Sequence, residues 1–229
     1  KEKNMLLGLR EKKLKLGQEI SELIDPVFEK LIQNKKSSDG PRKKYSIDPV
    51  LQWNFASGLK DQIIGLQANL KNGAKVENGR LILRKGGYAV TDNLPIEITA
   101  KTLSAWVELD KPSQRAGGVI TLQNLNGSIF DSIVFAEKNP RKWMSGSNGF
   151  SRTKPFASAP LENLADKQLI HFAITYSTNG KITGYRNGEK YGKPYSVNLY
   201  KYQKNKSVLT FGLRHLPASP QRMLDGSIS

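Results

Sequence analysis

From about Leu51 to its last residue the chain is written in strands and turns: short alternating apolar runs are cut by Gly, Asn, Asp and Pro, with no helix-length segment between them. Strands that follow one another without intervening helices pair antiparallel, and this many of them bury their apolar faces as a sandwich or jelly roll. The alternation predicts strands at Leu51–Phe55, Arg80–Leu83, Tyr88–Val90, Leu103–Leu109, Gly118–Leu122, Ser132–Phe135, Ile170–Tyr176, Ile182–Arg186 and Val208–Gly212, and the start of another within Asp225–Ser229. Residues 171–192 carry the pattern most clearly. Phe172, Ile174 and Tyr176 share one face of a strand and His171, Ala173 and Thr175 the other. Asn179-Gly180 and Asn187-Gly188 each read as a type I′ turn, whose two central positions need positive φ.

The first 36 residues have a different period. Leu6, Leu9, Leu16, Ile20, Leu23, Ile24, Val27 and Leu31 recur at helical spacing, and Asp25-Pro26 suits the start of a second short helix. The polar stretch KKSSDGPRKK that follows reads as a linker. The organisation expected is a helical segment at 1–36, a linker at 37–46 and a β-sandwich domain at 47–229, cut short at its C-terminal end. Glu11, Glu19 and Glu22 on the polar side of the first segment favour packing on a neighbouring domain over lying on a membrane.

Composition removes several classes of chemistry. The chain has no Cys, which excludes disulfides, thiolate zinc sites and Cys nucleophiles. No apolar run approaches the ~20 residues needed to span a bilayer. No GxSxG, phosphate-binding Gly-rich loop or HExxH sequence occurs, and two histidines without a close third ligand are poor zinc chemistry. The net charge is +16, and residues 1–44 hold 12 Lys/Arg against 7 Asp/Glu, so +11 remains on the strand-rich part. A charge of that sign suits polyanions, but no recognition helix or RNA-stacking motif accompanies it, which ranks nucleic acid last among partners.

Several stretches together resemble laminin-G-like, concanavalin A-like lectin modules: Trp53-Asn54-Phe55, Asn78-Gly79-Arg80-Leu81, LSAWVEL at 103–109, the 171–188 hairpin and Leu224–Ile228. GGVITLQ, FDSIVFAE, WMSGSNGF and FGLRH, in that order, resemble the module carried by large secreted bacterial proteins of the planctomycete cytochrome-C type. The resemblance implies an extracytoplasmic setting, neighbouring domains, haem elsewhere in a parent protein, and calcium held by Asp, Asn and carbonyl oxygens. Only Asp61 stands in the loop after the first expected strand, so no residue is assigned to calcium.

Aromatic residues interleaved with Arg and Lys suit an acidic polysaccharide, since rings stack on sugars and cations take carboxylates or sulfates. The candidate ligand-binding residues are Arg115, Asp131, Trp143, Arg152, Tyr185, Arg186, Arg214 and His215; the alternative for the aromatics is a place in the core. Asp131 and Glu137 would lie about 20 Å apart on a regular strand. A glycosidase pair needs roughly 5–10 Å, so salt bridges to Arg115 or Arg152 are the expected roles. The sequence therefore reads as a non-catalytic carbohydrate-binding or interaction module, with a glycan-cleaving enzyme on the same fold or a spacer as alternatives.

Overall fold

The computed structural model describes residues 48–229 and Lys12. Apart from Lys12, the expected helical segment at 1–36 and the linker at 37–46 lie outside the described residues. The compact unit Pro49–Ser229 is described by itself.

Among the described residues fourteen strands run in chain order: β1 (Ala68–Lys71), β2 (Lys75–Glu77), β3 (Arg80–Leu83), β4 (Tyr88–Thr91), β5 (Lys101–Leu109), β6 (Gly117–Asn124), β7 (Phe130–Phe135) and β8 (Trp143–Ser147). They continue with β9 (Ile170–Tyr176), β10 (Lys181–Arg186), β11 (Glu189–Lys190), β12 (Tyr195–Ser196), β13 (Ser207–Phe211) and β14 (Gly226–Ile228). They form two antiparallel sheets. One has the order β1-β4-β13-β6-β7-β8; the other runs β11-β10-β9-β5-β14-β3-β2, with β12 paired to β10.

The alternation read in the sequence maps onto this architecture. On β5, Leu103, Ala105, Val107 and Leu109 point into the sandwich while Thr102, Ser104, Trp106 and Glu108 point out. Their inward partners on β9 are Ile174, Phe172 and Ile170. Trp143 on β8 stacks on Phe172 across the sandwich at 5.0 Å between ring centroids and lies 4.8 Å from Phe135. This aromatic contact ties the two sheets together by burying large apolar area. The closing strand β14 sits between β5 and β3.

Two local expectations are corrected. Leu51–Phe55 is not a strand: Asn54 caps a 3-10 turn at Phe55–Ser57 by accepting the Ala56 N–H, and Trp53 packs edge-on against Phe211. Of the two Asn-Gly pairs, Asn187 and Gly188 both have positive φ, at 51° and 83°, and join β10 to β11 as a type I′ turn requires. At the other pair only Gly180 has positive φ, and its N–H bonds to Ser177 O, so the β9–β10 loop is the longer Ser177–Gly180 turn.

Strands β6, β7 and β8 are buried on both faces except Asn124. Their outer face is covered by the segment after β13. Leu213 O accepts from Thr121 and Thr210, the Leu216 N–H donates to Gln123, and His215 stacks on Phe130 at 4.3 Å. The approach is close because Gly118 has no Cβ: one placed there would lie 2.4 Å from the Arg214 Cα.

Candidate functional site

A cleft of about 300 Å³ opens at one rim of the sandwich, between the β6–β7 turn and the segment that leads into β13. Asn124, Leu125 and Asn126 form one wall, Tyr200, Gln203 and Lys206 the other, and Tyr202 the floor.

Each wall is fixed by its own backbone. The Asn124 side chain accepts from Ile129 N–H and donates to Ser128 Oγ, and the Asn126 side chain accepts from Ser128 N–H. These Asx-type bonds hold the turn and lift Leu125, 47% exposed, to its tip. Opposite, Tyr202 exchanges two backbone hydrogen bonds with Ile98, and the Lys206 N–H bonds to Gln203 O. Tyr200 and Tyr202 meet edge to face at 4.9 Å.

Behind the floor lies a buried ionic cluster. Asp131 is fully buried on the inner face of β7, with Arg152 Nε at 2.7 Å from one oxygen and Lys101 Nζ at 2.8 Å from the other. Arg152 also donates to Phe130 O and Asn148, and its guanidinium lies 5.8 Å from the Tyr200 ring. Lys101 Nζ sits over the rings of Tyr176 and Tyr202 at 4.3 and 5.1 Å. Burial pulls the Lys101 ammonium below its ordinary range, against the attraction of Asp131, while burial and the Asp131 charge push the Tyr202 hydroxyl well up. The cleft floor is thus a neutral phenol backed by a buried cluster of two cations on one carboxylate.

The eight residues read from the sequence as ligand candidates fall into five places. Asp131 and Arg152 meet behind the cleft. Trp143 and Arg186 meet at Glu162, which sequence reasoning missed: Trp143, 1% exposed, donates its indole N–H to Glu162, and Arg186 grips the same carboxylate with two bonds. Arg115 donates to Ala136 O and Glu137 O, and Arg214 pairs with Glu137, so the Glu137 bridge forms with Arg214 and not with Arg115. His215 lies on Phe130, and Tyr185 stands on the outward face of the other sheet. None lines the cleft itself. The one signal for the cleft is the run YKYQKNK at 200–206, aromatic and basic together, but the turn that faces it comes from 76 positions earlier at Asn124.

The calcium implied by the resemblance does not fit the loop that holds Asp61. Its carboxylate is spent on the backbone N–H groups of Gln52, Ile63 and Ile64, and among the described residues no three His, Asp or Glu side chains gather.

The fold and rim cleft define a two-sheet antiparallel jelly roll with a loop-built recess. Residues 83–229 match the Laminin_G_3 family, described as the concanavalin A-like lectin/glucanases superfamily, and the chain belongs to it. No curated protein matches the chain. Solved structures with a similar fold include domain 4 of AbnA, a GH43 extracellular arabinanase from Geobacillus stearothermophilus, in complex with arabinotriose (17% identity, TM-score 0.45, 77% of this chain and 88% of that one). Others are a heptameric SAP-like pentraxin from Limulus polyphemus (14%, 0.41, 71% and 73%) and the Emp47p carbohydrate recognition domain (11%, 0.43, 78% and 93%). Among the described residues no helix is long and apolar enough to cross a membrane.

Proposed function

We propose that this chain is a non-catalytic carbohydrate-binding domain of an extracytoplasmic protein, with the rim cleft as its binding site and acidic polysaccharide as its preferred ligand. The observation that carries the reading is the cleft's make-up: one partly exposed tyrosine ring, three side-chain amides and a lysine converge on a recess of oligosaccharide scale. Tyr200 offers a ring face for the apolar C–H side of a pyranose, Asn126 and Gln203 suit hydroxyl groups, and Lys206 suits a carboxylate or sulfate.

What favours binding over cleavage is the state of the carboxylates. Among the described residues no Asp or Glu lines the cleft, and Asp131, Glu137 and Glu162 are each committed to cations. A pair of carboxyl groups facing one groove, which glycoside hydrolysis requires, has no counterpart at this recess. The test is a glycan array that includes sulfated and uronate-rich polysaccharides, run at physiological salt. Retention of acidic glycans supports the reading; silence across the array, or release of shortened saccharides, defeats it.

A further inference from the structure

The outward face of the eight-stranded sheet holds a second, differently made surface. Strands β5, β9 and β10 align there in transverse rows: Trp106 beside His171, and Ser104, Ala173 and Tyr185 in the next row. Trp106 is 50% exposed, whereas Trp143 is 1% exposed. A half-exposed indole forgoes much of the burial energy that placed the other in the core.

The indole is held in place by its neighbours. His171 lies 5.1 Å away ring to ring, with Nε2 fixed by Ser104 Oγ at 2.8 Å and its backbone N–H bound to the Asn187 side chain. Ala173 and Ser104 are small, which leaves the space beside the indole flat and low. Tyr185 rises two strands away, about 10 Å across the sheet. In a chain of net charge +16 these rows carry no Lys, Arg, Asp or Glu until Lys190 beyond Tyr185, and Glu108 on β5 is paired with Arg80 at 2.6 Å. Burial moreover lowers the His171 pKa, which favours a neutral ring.

We propose that Trp106, with Tyr185 as a second contact, forms a platform for a neutral polysaccharide of equatorially substituted pyranose rings, of the β-glucan kind. Rings of that class present flat C–H faces that stack on an indole, and their edge hydroxyls suit Ser104 and the Tyr185 phenol. No cation stands in the rows beside Trp106, which matches a neutral chain better than a sulfate or uronate, and Lys190 flanks the platform only at its Tyr185 end. The pre-set indole adds little ordering cost on binding. The two sites share no residue, so either stands without the other.

The experiment is affinity electrophoresis of the full chain through gels containing hydroxyethylcellulose, with iodide quenching of tryptophan emission in cellohexaose alongside. Wild type is expected to be retarded and its exposed tryptophan shielded. Trp106→Ala is expected to lose roughly tenfold or more in affinity, Trp106→Tyr to keep part of it, and Leu161→Ala, which removes another half-exposed apolar side chain outside β5, β9 and β10, to behave as wild type. Retardation of Trp106→Ala equal to wild type, or no retardation of wild type, overturns the proposal. So does shielding of Trp106 by self-association that grows with protein concentration in the absence of sugar.

Discussion

Arg186 on β10 grips the carboxylate of Glu162 with Nε at 2.8 Å and Nη2 at 2.9 Å, while Glu162 is 1% exposed. The same carboxylate accepts the indole N–H of Trp143 at 2.7 Å and the backbone N–H groups of Asn163, Leu164 and Ala165. One side chain thereby joins the loop before β9 to both sheets.

Burial alone would raise the Glu162 pKa, but the hydrogen bonds from Arg186, Trp143 and Leu164 and the Arg186 charge bring it down to about 2. Because the folded carboxyl titrates below its ordinary value of 4.5, the unfolded chain takes up the proton first. The stabilisation is full above about pH 4.5 and is lost as pH falls toward 2; its size is about 3 kcal/mol. Chemical denaturation of Glu162→Gln at pH 7 should show a loss of that order, and the variant's stability should vary less than wild type between pH 4.5 and 2.

Among the described residues Asp131 is the one carboxylate paired with both Lys101 and Arg152 in the buried cluster. Asp131→Asn leaves two cations facing each other inside the sandwich and should cost about 3–5 kcal/mol in urea unfolding. Lys101→Met leaves the Asp131–Arg152 pair intact and should cost clearly less. Equal losses would contradict the shared-anion arrangement.

Gly118 lets the segment after β13 lie against β6. Gly118→Ala places a Cβ against the Arg214 backbone, where no flexible side-chain end can yield. A destabilisation of about 1–3 kcal/mol is expected, with faster amide exchange at Leu213–Met223 than in wild type. Exchange unchanged in that segment would show that it does not depend on the close approach.

Much of this architecture was legible because side-chain alternation is a local signal. LSAWVEL and IHFAITY give inward and outward faces directly, and they pair as neighbours on β5 and β9. β8 was missed because WMSGS, buried on both faces, has no alternation to read. β2, β11 and β12 are too short for periodicity to register. The expected Asp131–Arg152 salt bridge forms. Glu162 escaped notice because its partners Trp143 and Arg186 lie 19 and 24 positions away and meet it only through tertiary packing. The cleft escaped for the same reason: its walls are turns whose approach is set by the pairing of β6 with β13.

Occupancy of the rim cleft by an acidic saccharide is read out by titration calorimetry on wild type, Tyr200→Ala and Lys206→Gln with heparin-derived and polygalacturonate oligosaccharides. At about 0.15 M salt, wild type should bind at least one of these probes, Tyr200→Ala should bind it roughly tenfold more weakly, and Lys206→Gln should bind it more weakly and with less dependence on salt. Binding of equal strength by all three proteins, or by none, would contradict it.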